Sequence, residues 1–153
     1  MSLPGRPGRL ALLSVVMSDV AATTFLAVAS AQAGFQATLT LVVYPTLSHV
    51  RAAHWRQAHD RYIQQVKPLV VAVYLALAAT SVWWLADDWS TLAVIAVVLA
   101  ALPVVVTAVL AAPLHRRLVR RDDAALERLL TLDKARAVLA FAAVAVAIVA
   151  LVR

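Results

Sequence analysis

Residues 116–136, RRLVRRDDAALERLLTLDKAR, form a basic, partly amphipathic segment set between two long apolar runs, and residues 51–67, RAAHWRQAHDRYIQQVK, repeat the arrangement. Of the 14 Lys and Arg in the chain, these two segments hold Arg51, Arg56, Arg61, Lys67, Arg116, Arg117, Arg120, Arg121, Arg128, Lys134 and Arg136; only Arg6, Arg9 and Arg153 lie elsewhere. The apolar runs cover roughly 10–48, 68–86, 91–114 and 137–152. If all four cross a bilayer, both basic segments fall on one side. Cytoplasmic loops collect Lys and Arg, so that side is read as cytoplasmic and both termini as outside.

Composition supports a membrane protein. Hydrophobic residues make up 63% of the 153 positions and the mean hydropathy is +0.86, against an apolar share of about half in soluble domains. The pI near 10.8 would suit nucleic acid, but the basic residues flank apolar spans instead of forming a domain. The expected partner is therefore the bilayer with its anionic headgroups, and no nucleic acid. Cys is absent, which removes disulfides, thiolate metal sites and cysteine nucleophiles.

A helix needs about 20 apolar residues to cross the hydrocarbon. The second run, PLVVAVYLALAATSVWWLA (68–86), is close to that length; Trp83, Trp84 and, beyond a DDWS turn, Trp89 read as an aromatic belt at the outer interface. The third run (91–114) carries Pro103, which should kink it. The fourth (137–152) is rich in Ala and Val and can be approached closely by its neighbours. No run alternates with period two, so the expected fold is all-α: an integral membrane four-helix bundle, multi-pass in the plasma membrane, with helices 2 and 4 extended into the cytoplasm.

The first run is too long for one crossing. Ser18 or Asp19 is expected to cap it at the outer face, the alternative being an Asp19 within the bilayer with a functional role, leaving spans of about 20–46, 68–86, 91–114 and 137–152 within a transmembrane domain of residues 18–153. Residues 1–17 then form an interfacial or disordered segment. Met17 could open an N-terminus of its own, and RPGR, an apolar stretch and ASAQA share the layout of a signal peptide.

Chemistry concentrates at the basic end. Trp55, His59, Tyr62 and Val66 follow at three- and four-residue steps on one helical face, so span two should continue about four turns past the membrane. Leu126, Leu129, Leu130, Asp133 and Ala137 line a matching stripe after a cap at Asp122 or Asp123, which puts Asp133 where Leu would be expected. Arg116, Arg117, Arg120, Arg121 and Arg128 read as solvated or lipid-facing. His115 emerges just past the apolar boundary, and Tyr44 sits at the same depth before Pro45. His59, His115, Asp133 and Tyr44 are thus the candidate catalytic residues, and His59 and His115 the candidate metal ligands. Imidazoles suit non-haem iron, copper, manganese or zinc, and two on separate helices could clasp a haem. The same groups could serve as base and hydrogen-bond donors to a phenolic or quinone-like molecule without any metal, or tie the helices together in a network of His59, His115, Asp133 and Arg136. No HxxxH or ExxH pair occurs, so the carboxylate di-metal pattern of four-helix bundles is absent.

The stretch AGFQATLTLVVYPTL (33–47), then Trp55-x-x-x-His59, Pro68 opening the second span, and APLHRRL (112–118) before a capped amphipathic helix, together resemble the anthrone-oxygenase-like family of small four-helix membrane proteins. The likeness covers about residues 20–152 and runs through Tyr44, Pro45, His59, Pro68, Pro113, His115 and Leu118. It implies an oxidoreductase or oxygenase acting on a small planar phenolic substrate with molecular oxygen. The chain departs from that pattern at Val43, where a His often precedes Tyr-Pro, and at Asp133-Lys134. The other open reading is a non-catalytic membrane protein that binds lipid or a partner subunit. Oligomeric state is left open.

Overall fold

The computed structural model describes residues 7–153, with side chains from Asp19 onward. The chain forms α1 (Pro7–Thr38), a π-helical segment π1 (Leu39–Val43), α2 (Tyr44–Ser48), α3 (Ala52–Asp87), α4 (Thr91–Val106), a second π-helical segment π2 (Thr107–Ala111), α5 (Ala112–Arg117) and α6 (Asp123–Leu151). Each π segment joins its flanking helices end to end, so the elements make four rods.

Local chemistry explains the breaks. Asp88 turns the chain by accepting from the Ser90 N–H at 2.8 Å, and Ser90 then caps α4 by accepting from the Ala93 N–H at 3.3 Å. This is the tight hairpin expected at DDWS. Asp122 caps α6, accepting from the Ala125 N–H at 3.1 Å. The two π segments each run into a proline, Pro45 and Pro113. A proline has no N–H for the carbonyl four residues back, and its ring crowds that carbonyl. The helix answers by widening one turn, so that the Tyr44 N–H bonds Leu39 O and the Ala112 N–H bonds Thr107 O, five residues back. The α-helical pattern holds through Pro103, where the sequence suggests a kink; the departure comes at Thr107–Ala111.

Two expectations need correction. Because α1 begins at Pro7, Ser18 and Asp19 lie inside a helix and do not mark its start; apolar sequence continues upstream of them, and a Ser-Asp pair does not stop a helix that has no breaker beside it. Residues 1–6 lie outside the described part, as do the side chains through Ser18. Trp84 is not in an interfacial belt: it is 1% exposed and its ring lies 4.8 Å from Phe25 on α1. Its neighbours Trp83 and Trp89 are exposed, as an interfacial indole should be.

The rods pack through small residues. α6 lies against both α4 and α1, and α1 also packs on α3. Ala93, Ala96 and Ala100 of α4 and Ala140, Ala143 and Ala147 of α6 are all buried, so the backbones approach closely and dispersion holds them. Outward, Leu75, Val82, Val98, Val105, Val109, Phe141 and Ile148 are exposed. In water so much outward apolar surface would drive association; in lipid it costs nothing. Among the described residues four helices, Asp19–Ser48, Ala52–Asp87, Thr91–Arg117 and Asp123–Leu151, are long and apolar enough to cross a membrane. This is the build of a multi-pass membrane protein. The 36 residues of α3 span about 54 Å, well beyond the roughly 30 Å of hydrocarbon.

The α2–α3 and α5–α6 connections lie at the same end, and one arginine ties them. Arg121 donates to Val50 O at 2.5 Å and to Ser48 O at 3.4 Å, pairs with Asp123 at 2.8 Å, and lies 5.9 Å from the Trp55 ring. Arg121 is thus exposed, as expected, but serves as a tie besides. Its neighbours Arg116, Arg117 and Arg120 are exposed.

Candidate functional site

Between the basic end and the apolar spans the bundle interior carries two polar layers. The outer one is aromatic. Trp55 fixes its indole by donating to Leu118 O at 2.7 Å and stacks on His59, with centroids 5.8 Å apart and planes 20° off parallel. The His59 ring lies 5.8 Å from that of His115, which lies 6.1 Å from Tyr62. Tyr62 donates its hydroxyl proton to the Tyr44 oxygen at 3.2 Å. The stripe Trp55, His59, Tyr62 is buried as its spacing requires, and π1 delivers Tyr44 to the same layer, 1% exposed.

The inner layer is an ion pair with its own cage. Asp133, fully buried, pairs with Arg136 one turn on, and accepts from Gln36 Nε2 and Thr40 Oγ1 of the first rod. Arg136 donates to Thr107 Oγ1 at 2.8 Å. Thr107 gives its own proton to Pro103 O at 2.7 Å, so its lone pairs are free for Arg136 and for the Tyr74 hydroxyl at 2.8 Å. Thr40 stands in π1 and Thr107 opens π2. Each π segment thus supplies one hydroxyl to one member of the pair, and the carboxylate and guanidinium neutralise each other away from water.

A cavity of about 560 Å³ adjoins both layers, bounded by the first rod, α3, π2 with α5, and Arg136 of α6. Tyr44, His59, Tyr62 and His115 line it. Both ring nitrogens of His59 and Nδ1 of His115 are buried with no hydrogen-bond partner in the protein, although His59 Nδ1 lies 3.9 Å from the Asp60 carboxylate. Buried polar atoms are almost always bonded, so unpaired imidazole nitrogens beside a cavity mark where a ligand could supply the partner.

Of the residues singled out from sequence, the fold brings His59, His115 and Tyr44 together around this space. Asp133 is elsewhere: it does not orient an imidazole, because its oxygens are taken by Gln36, Thr40 and Arg136. The expected single network of His59, His115, Asp133 and Arg136 splits in two. Trp55 braces His59 from behind and is not part of the cavity wall. As a non-haem metal centre the donor set falls short. Among the described residues no group of three or more His, Cys, Asp or Glu could hold an ion, and catalytic zinc and non-haem iron sites use three protein ligands.

Gln36 and Thr40, neither of them among the candidates from sequence, carry the inner layer. The available signal is spacing: Gln32, Gln36, Thr40 and Tyr44 recur every four residues through apolar sequence. Gln32 is also buried, with neither amide atom bonded. No family model, no curated protein and no solved structure matches the chain.

Proposed function

We propose that this chain is a plasma-membrane protein that binds a membrane-soluble phenolic or quinone-like aromatic in the cavity at its cytoplasmic end. The observation that carries the reading is His59: buried, facing the cavity, and unpaired at both ring nitrogens. A phenolic hydroxyl or quinone carbonyl would satisfy it. Since Tyr62 gives its proton to Tyr44, the Tyr44 proton is free to be donated to a ligand oxygen. His59 or His115 can take a phenolic proton as a general base. The family resemblance extends this to oxidation by dioxygen, in which a ring CH2 becomes C=O, one oxygen atom enters the carbonyl and the other leaves in water. The protein's part would be to bind, to deprotonate and to orient; no step is assigned to a metal.

The test uses purified protein in lipid nanodiscs and equilibrium binding of a hydroxyanthrone and a short-chain hydroquinone. His59→Ala should weaken binding at least about tenfold, the scale of one lost buried hydrogen bond, with unchanged helical circular dichroism. Equal affinity in wild type and variant would reject the site.

Orientation belongs to the same proposal. With the basic connections in the cytoplasm, both termini face outward, and 52–66 and 123–135 protrude inward. A periplasm-active reporter fused after Arg153 should work, and one inserted beside Arg121 should not. The reverse pattern would invert the molecule and place the cavity on the outer side.

A further inference from the structure

We infer that the ligand of this cavity is an acidic hydroxy-aromatic, negatively charged, that reaches it sideways from the cytoplasmic leaflet between α3 and α5. The inference rests on the proposed binding site and adds the ligand's charge and its route.

Charge comes first. The cavity wall carries Lys67, Arg116 and Arg136 against one carboxylate, Asp60. Arg136 is already neutralised by Asp133 behind the wall, and Asp60 lies 3.9 Å from Arg56. Lys67 and Arg116 make no ion pair among the described residues. They stand on different elements of the wall, one on α3 and one on α5. An anion between them would gain from both at a boundary where water screens only partly.

Depth and opening give the route. Lys67 immediately precedes the apolar run that begins at Pro68, and Arg116 follows the one that ends at Leu114. Both therefore mark the level where hydrocarbon gives way to headgroups. Beside them the cavity is lined by Val71 and Val119, each 47% exposed on the outer surface of the bundle. α3 packs little on α4 and less still on π2 and α5, and the hydrogen bond between Tyr74 of α3 and Thr107 of π2 joins these two walls at the cavity. An apolar ring could slide past the valines from lipid while its charged group stays level with Lys67 and Arg116. The volume suits one small ring system.

Two probes of matched skeleton separate charge from shape: 1-naphthol and 1-hydroxy-2-naphthoic acid, measured by equilibrium binding to the full chain in phosphatidylcholine nanodiscs and referred to protein-free discs. The acid should bind at least tenfold more tightly. Lys67→Met with Arg116→Met should remove most of that preference, the acid losing far more affinity than the naphthol, and His59→Ala should weaken both. If both probes bind wild type equally, the charge inference falls and the site stands. If neither binds, the site falls too. Native mass spectrometry supplies a further arm with phosphatidylglycerol present. Retention of one anionic phospholipid that the acid cannot displace, lost in the double variant, would make a lipid the occupant and overturn the inference.

Discussion

Replacing Asp133 by Leu should destabilise the protein by about 3–5 kcal/mol, the largest effect expected of any single change, because it strands a buried guanidinium without its counter-charge. Arg136 is 4% exposed and Asp133 is fully buried. The loss would also release Gln36 Nε2 and Thr40 Oγ1, which now bond the carboxylate. The companion variant Asp133→Leu with Arg136→Leu should recover much of the stability, since an apolar pair of similar bulk replaces an ion pair that had to be desolvated. Denaturant midpoints in a mild detergent, followed by circular dichroism, give the comparison. A single variant within about 1 kcal/mol of wild type would mean that water reaches the pair, and the inner layer would then be a wet cleft instead of a sealed tie.

The second large effect is steric. Ala96 sits fully buried in the seam where α4 packs on α6, in one cluster with Ala143 and Ala147 of α6. Extra methylene groups there must separate two backbones that small side chains allow to meet, and overpacking of this kind costs about 1–3 kcal/mol. Ala96→Leu should therefore lower the unfolding midpoint clearly. Ala101→Leu, on the exposed side of the same helix, should change it by less than about 0.5 kcal/mol. Equal effects at the two positions would show that the alanine seam is not what joins α4 to α6.

These two sites also show what a linear reading can and cannot reach. The four rods and the buried stripe Trp55, His59, Tyr62 follow from spacing, because a helix exposes its periodicity in one dimension, and the DDWS hairpin and a cap at Asp122 or Asp123 follow from residue type. Trp84 does not follow: an indole at the end of a span suits the interface and the core equally, and only the ring of Phe25 from α1 decides between them. Asp133 was legible as an inward polar residue. Its partners were not, since Gln36 and Thr40 come from 93 or more positions away in sequence and look, within an apolar run, like tolerated polar residues. Arg121 is the converse case. In a basic run it resembles its neighbours, and only the fold turns it toward Val50 and Ser48.

Each wide turn ahead of a proline holds one residue more than an α-helix of the same rise would need. One residue is about 100° of helical rotation, so everything from Tyr44 to Ser48, and from Ala112 to Arg117, is swung by that much relative to an uninterrupted helix. Tyr44 and His115 both lie beyond such a turn, so their aim into the cavity depends on an added residue in each arm. In the comparison of distant homologues, a one-residue gap within 39–43 or 107–111 would therefore carry more meaning than many substitutions. It would mark a chain whose membrane rods are the same but whose cavity is lined by a different face.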